Sequence, residues 1–296
     1  MAFLGDGGGG TGSFRREIMD EQYDNRPIGV FDSGVGGLTV LDAIQQALPH
    51  EELIYLGDTA RVPYGNRTPQ TIIRYATSCA RQLMARGVKT IVIACNTASA
   101  HALEALNETF DIPVFGVIEP ASRMAVQVSR NHCIGVVGTR ATITSRAYSR
   151  AIHQMDSGAY VCGHPCPLFV PLVEEGWANT EVARLVVTQY LRELLALMDG
   201  HEPDTLILGC THYPVLKQVI ADTLSVTFHK KVHLCDPAEA TASELTVQLQ
   251  KSHLLASVKQ IGKASYLVTD DPVQFSAVGK SFMKSPPEDV KHIDIL

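Results

Sequence analysis

Two segments of this 296-residue chain carry a cysteine at the same point of the same pattern. KTIVIACNTAS (89–99) and DTLILGCTHYP (204–214) align without a gap. In each, a threonine and three apolar residues lead to a small residue, a cysteine and then a polar group. Cys95-Asn96-Thr97 thus stands against Cys210-Thr211-His212. A weaker pair precedes them, IGVFDSG (28–34) and IGVVGTR (134–140), which sets Ser33 against Thr139. A free thiol titrates near 8.5 and its surroundings can lower that value, so it can take up or give a proton near neutral pH. Two thiols facing one carbon acid from opposite sides can remove a proton from one face and return one to the other, inverting the stereocentre. His212 shares a loop with Cys210, and Asp32 ends a neighbouring strand, so each thiol has a candidate helper. Asn96, Thr97, Thr211 and Ser33, with helix N-terminal amides behind them, can hold carboxylates.

Each residue taken singly has a plainer reading. A strand-end cysteine is usually inert packing, a loop histidine usually has a satisfied hydrogen bond, and Asp32 can cap a helix beginning near Gly36. The joint pattern carries the chemistry.

The elements that position these residues read as α/β. IGVFD (28–32), LIYLG (53–57), TIVIA (90–94), VFGVI (114–118), IGVVG (134–138), TLILG (205–209), VHLC (232–235) and SYLVT (265–269) are short apolar runs. Helical patterns alternate with them: 38–48, 69–86 before Gly87, and Pro272 to about Met283. Continuous apolar strands alternating with helices predict parallel sheets covered on both faces. The repeat predicts two related domains, and in open α/β sheets ligands bind at the carboxyl ends of the strands. That end is where Cys95, Cys210, Asp32 and Ser33 stand.

Composition narrows the classes. Hydrophobic residues make up 45% and charged residues 19%, enough apolar side chains for a sizeable core. A net charge of −6 speaks against a nucleic-acid surface. Seven cysteines, no secretory leader and no apolar run of membrane-spanning length predict a cytoplasmic protein with reduced thiols and no membrane partner. Residues 1–25, with glycines at 7–10, are expected to be a flexible tail, with order beginning near Pro27. Cys79 and Cys133 read as core. Cys162-Gly163-His164-Pro165-Cys166 superficially suggests a metal site but lacks a second matching pair, so no metal is expected. The glycines of Asp32-Ser33-Gly34-Val35-Gly36-Gly37 do not complete a dinucleotide fingerprint.

The blocks FDSGVGGLTVL (31–41), GDTARVPYG (57–65), IVIACNTASA (91–100), GVIEPA (116–121), GTRATI (138–143), LFVPLVEEG (168–176) and LGCTHYP (208–214) together resemble the glutamate racemase family. The resemblance runs from residue 28 to about 240 and continues in SYLVTDDPVQFSAVGKSFM (265–283). It implies a cofactor-independent racemase that interconverts L- and D-glutamate for peptidoglycan synthesis in a bacterial cytoplasm. It implies Cys95 and Cys210 as the acid/base pair, Asp32 assisting Cys95, and His212 with Glu174 assisting Cys210. Adjacent Glu175 leaves open which acid faces inward. Substrate contacts would fall on Asp32, Ser33, Tyr64, Gly65, Asn96, Thr97, Thr139, Thr142, Thr211 and His212. The family's domains imply a division into 26–120 plus 236–296 and 121–235, with the site in the crevice between two pseudo-symmetric domains. A homodimer is also implied. The rival readings are a racemase for aspartate or another amino acid, a non-catalytic two-lobed amino-acid-binding protein, and a thiol oxidoreductase.

Overall fold

The structure, a computed structural model, describes residues 23–295. Two parallel sheets organise it. The first contains β1 (Ile28–Asp32), β2 (Leu53–Gly57), β3 (Thr90–Ile93), β4 (Val114–Gly116), β9 (Ala264–Val268) and β10 (Lys291–His292), in the order β10-β9-β2-β1-β3-β4. The second contains β5 (Cys133–Gly138), β6 (Tyr160–Pro165), β7 (Thr205–Gly209) and β8 (His233–Cys235), in the order β6-β5-β7-β8. All pairings in both sheets are parallel.

The order β2-β1-β3-β4 recurs as β6-β5-β7-β8. The repeated sequence segments occupy equivalent strands: 28–34 and 134–140 begin on β1 and β5, and the two cysteine segments lie on β3 and β7. In each sheet the chain leaves the first strand to one side and returns on the other. The strand ends part at that switch point and open a crevice. Asp32 and Cys95 flank one switch point, and Thr139 and Cys210 flank the other.

The expected strands hold, with ends that agree or differ by one or two residues. The run 114–118 ends at Gly116 because α4 (Ile118–Val128) begins at once, with Pro120 tolerated in its first turn. The closing helix, α11, spans Pro272–Gly279 rather than reaching Met283. Strand β6, with Cys162 and His164, was not expected as a strand. It is an edge strand, mostly half-buried, and lacks the apolar run that marks the central strands. All seven cysteines are free thiols.

Helices cover both faces of the first sheet. Ile28 and Val30 point toward α1 (Leu38–Ala47), whose Leu38, Leu41 and Ile44 are fully buried. Phe31, Ile91 and Ile93 point the other way, toward α2 (Pro69–Met84) and α3 (Asn96–Thr109). Two helices join the sheets: α4 leads into the second, and α10 (Pro237–Lys251) leads back and packs on α1 and α4. The flanking helices α5 (Arg140–Ser145), α6 (Ala147–Met155), α7 (Phe169–Glu174), α8 (Glu181–Leu197) and α9 (Lys217–Asp222) complete the second lobe.

The expected tail ends earlier than residue 25. Asp24 N–H donates to the Leu255 carbonyl at 3.0 Å, and the buried Lys89 Nζ donates to the Asp24 carbonyl at 2.6 Å. The Asn25 side chain accepts from Ser257 N–H at 2.9 Å. These partners lie far along the chain, which is why composition alone put the start of order near Pro27. The rest of that expected tail, residues 1–22, lies outside the described residues.

Candidate active site

Helix caps put polar groups where the strands end. Cys95 is the N-cap of α3, and its Sγ accepts from Ala98 N–H at 3.5 Å. Thr139 caps α5, its hydroxyl accepting from Thr142 N–H at 3.3 Å. A strand-to-helix turn leaves such a cap at the carboxyl edge of the sheet, so local helix chemistry and the site share residues. Cys95 and Cys210 are each 6% exposed, and both line one cavity of about 290 Å³. A wider groove of about 820 Å³ between α1 and α10 touches neither thiol. The smaller cavity holds the groups able to do chemistry.

Around Cys95 the environment opposes charge. Its Sγ sits 3.6 Å from the Ser33 hydroxyl. Burial pushes the thiol up to about 12, the neighbouring Asp32 carboxylate adds to the rise, and the Ala98 amide and Ser33 hydroxyl only partly offset it. Asp32 is itself buried. Its Oδ2 accepts from Gly34 N–H at 3.1 Å and Gly37 N–H at 3.0 Å, while Oδ1 has no hydrogen-bond partner among the described residues. Burial raises the Asp32 carboxyl above its ordinary value, although the His212 charge and the two amides pull it down. Cys95 is therefore a protonated thiol at neutral pH.

Around Cys210 stands an imidazole held by a carboxylate. His212 Nδ1 lies 3.9 Å from Cys210 Sγ, and its Nε2 lies 2.8 Å from Glu174 Oε1. With Nε2–H donating to the carboxylate, Nδ1 faces the sulfur, able to accept its proton or, once protonated, to stabilise the thiolate. Burial alone would lower the imidazole, but the Cys210 sulfur and Glu174 carboxylate outweigh it and push His212 up to about 10. A Cβ at Gly36 would fall 2.4 Å from both His212 Nδ1 and Thr211 Oγ1. Only glycine at that position lets the second lobe's loop close onto the first.

Hydroxyls and an amide form the seam between the lobes. Thr97 Oγ1 is 2.9 Å from Thr139 Oγ1 and 3.3 Å from Thr142 Oγ1. Tyr148 OH donates to Asn96 Oδ1 at 2.6 Å, and Thr39 Oγ1 donates to the Thr211 carbonyl at 3.1 Å.

Of the residues singled out from sequence, Ser33, Tyr64, Gly65, Cys95, Asn96, Thr97, Thr139, Glu174, Cys210, Thr211 and His212 line the cavity. Asp32 and Thr142 are each 1% exposed and sit beneath the lining instead. Of the paired acids, Glu174 meets His212 and lines the thiol cavity, while Glu175 is absent from that lining and borders only the adjoining depression with Asp270 and Asp271. Sequence reasoning missed Asn66, Arg140, Pro167, Val170 and Pro171, all on the wall, and Tyr148, which orients Asn96. Arg140, Val170 and Pro171 lie within the motif blocks and Asn66 and Pro167 adjoin them, which was the available signal; Tyr148 has none. Cys162 and His164 lie on the edge strand β6, and among the described residues no group of three or more His, Cys, Asp or Glu side chains could hold a metal ion.

Residues 28–245 match the family described as Asp/Glu/Hydantoin racemase. A glutamate racemase of Geobacter metallireducens is 48% identical over 270 residues, covering 91% of this chain and 97% of its own. The crystal structure of glutamate racemase from Thermus thermophilus in complex with beta-chloro-D-alanine superposes with a TM-score of 0.81 at 44% identity, covering 92% of this chain and 98% of that one. That of glutamate racemase from Francisella tularensis in complex with D-glutamate gives 0.83 at 37% identity, with coverages of 92% and 98%.

Proposed function

The chain belongs to the Asp/Glu/Hydantoin racemase family, and from that premise we propose that it interconverts L- and D-glutamate by two-base proton exchange. The carrying observation is that one thiol from each lobe lines the same cavity, each with its own acid/base neighbours. The high identity and coverage of glutamate racemases support glutamate as the substrate.

The neighbours of the two thiols order the steps. Cys210, its proton passed to His212, takes the α-proton of the enantiomer whose hydrogen faces it. Cys95, as thiol, delivers its proton to the opposite face. The new S–H bond on Cys210 and the broken S–H bond on Cys95 balance, and the product leaves with inverted configuration. The opposite enantiomer uses the swapped form, with Cys95 as thiolate. Seam hydroxyls and the Asn96 amide hold the carboxylates, and closure excludes water. Both proton positions are filled by this chain's own thiols, so the proposal needs no cofactor.

The same reading divides the chain into 26–120 plus 236–296 and 121–235, supported by the assignment of strands to the two sheets. It makes the protein a cytoplasmic homodimer supplying D-glutamate for peptidoglycan. The net charge of −6, and the lack of any helix among the described residues long and apolar enough to cross a membrane, accord with a free amino acid as partner. Circular dichroism of L-glutamate incubated with pure protein tests the activity, and a panel of amino acids tests the specificity. A decaying signal for glutamate supports the proposal. A stable signal favours a binding protein, and faster decay of aspartate or another amino acid reassigns the substrate.

A further inference from the structure

Asp58 is fully buried, follows β2 and is absent from the cavity lining. Its carboxylate nevertheless gathers donors from several parts of the first lobe. Arg61 Nε lies 2.8 Å from both carboxylate oxygens. Thr269 Oγ1, just past β9, donates to Oδ1 at 3.1 Å, and the Tyr64 hydroxyl donates to Oδ2. The Asp58 N–H donates to the Asp32 carbonyl at 3.0 Å. The Arg61 guanidinium, the counter-charge, stands 4.5 Å from the centre of the Tyr75 ring on α2. Residues 59 and 60 are also tied to the end of β9. Thr59 Oγ1 bonds the Asp270 carbonyl at 2.7 Å, and Ala60 N–H donates to Thr269 Oγ1 at 2.9 Å.

This junction holds the segment that ends in the cavity wall. Tyr64 and Gly65 line the cavity, and a Cβ at Gly65 would fall 3.1 Å from Thr139 Cβ. Thr139 in turn meets Thr97. A small movement of the Tyr64-Gly65 wall therefore changes the seam where the lobes meet over the substrate.

We propose that Asp58 is a positioning residue, which sets the Tyr64-Gly65 wall through the Tyr64 hydroxyl and so governs glutamate binding rather than proton transfer. This rests on the racemase reading for its kinetic consequence. A charge-assisted buried bond has the strength to matter, and a wall residue acts on binding in both ground and transition states.

The test uses Asp58→Asn in the full chain, with Tyr64→Phe as its counterpart. Each is expected to raise KM for glutamate about tenfold while kcat stays within about twofold. The double variant is expected to be no worse than the more affected single, since both remove one bond. Unchanged KM, or a fall in kcat alone that follows a lowered Tm, overturns the proposal. If Asp58→Asn does not fold, Thr269→Val weakens the same junction from the side away from the cavity. It is expected to raise KM about threefold, and unchanged KM overturns. Iodoacetamide alkylation of the two cavity thiols, Cys95 and Cys210, resolved residue by residue by peptide mass spectrometry, gives a readout independent of turnover. Asp58→Asn, or Thr269→Val in its place, is expected to speed it at unchanged Tm, and an unchanged rate overturns the wall's dependence on Asp58. Wild-type protein that fails to racemise glutamate breaks the functional reading alone, because the alkylation result still decides the inference.

Discussion

The surroundings of Cys95 and Cys210 differ more than the strands that carry them. The strands occupy equivalent places in sheets of the same order, and the thiols are equally buried. Cys95 sits above a buried carboxyl with one unpartnered oxygen, and its thiol is pushed up to about 12. Cys210 sits beside an imidazole held by a carboxylate and pushed up to about 10. One site stores a proton, and the other sets a basic imidazole beside its thiol. Duplication of a fold places two acid/base groups symmetrically, while the neighbours decide which begins as acid and which as base.

Enantiomers have equal free energy in water, so the asymmetry cannot favour one at equilibrium. It must appear as kcat and KM differing in the same ratio for the two directions, with equal kcat/KM. Removing either thiol should break the comparison outright. Cys95→Ala and Cys210→Ala are each expected to lower racemisation at least about 10³-fold in both directions, read by circular dichroism.

The next effect belongs to Cys210 alone. Protonated His212 stabilises the thiolate below about pH 10 and loses that charge as pH rises through this value. Because kcat/KM stays equal for the two enantiomers, wild-type kcat/KM should fall for both together on the alkaline side near pH 10. His212→Asn is expected to lower activity about 10²-fold and to abolish that limb in a pH–rate profile.

Glu174→Gln leaves the imidazole in place but weakens its orientation. It is expected to cost about tenfold and to move the alkaline limb to lower pH, because the carboxylate that raises His212 is gone. Tyr148→Phe removes one seam bond, to Asn96, and is expected to raise KM about threefold with little change in kcat. Steady-state assays with each enantiomer read both variants.

Much of this is legible in the sequence. The central strands are buried on both faces, so their apolar runs stand out, and a cysteine ending two of them marks both switch points. Edge strand β6 was not legible, because Tyr160, Cys162 and His164 are half-buried or polar and interrupt any run. Asp32 was legible as a site residue but not its depth: only the fold shows Gly34 and Gly37 amides closing over its Oδ2. Asp58 stood within a recognised block, yet its partner Thr269 is 211 residues away, a separation no local pattern encodes. The choice between Glu174 and Glu175 likewise depended on where His212 arrives from the other end of the lobe.

The most direct test of two opposed bases is racemisation of L-glutamate in deuterium oxide, followed by mass spectrometry of both enantiomers at low conversion. Opposed thiols predict one deuterium at the α-carbon of nearly all D-glutamate formed, with protium retained in the unreacted L-glutamate. Protium carried into the product, or deuterium entering recovered substrate as fast as product forms, would mean that a single base serves both faces and would contradict the central claim.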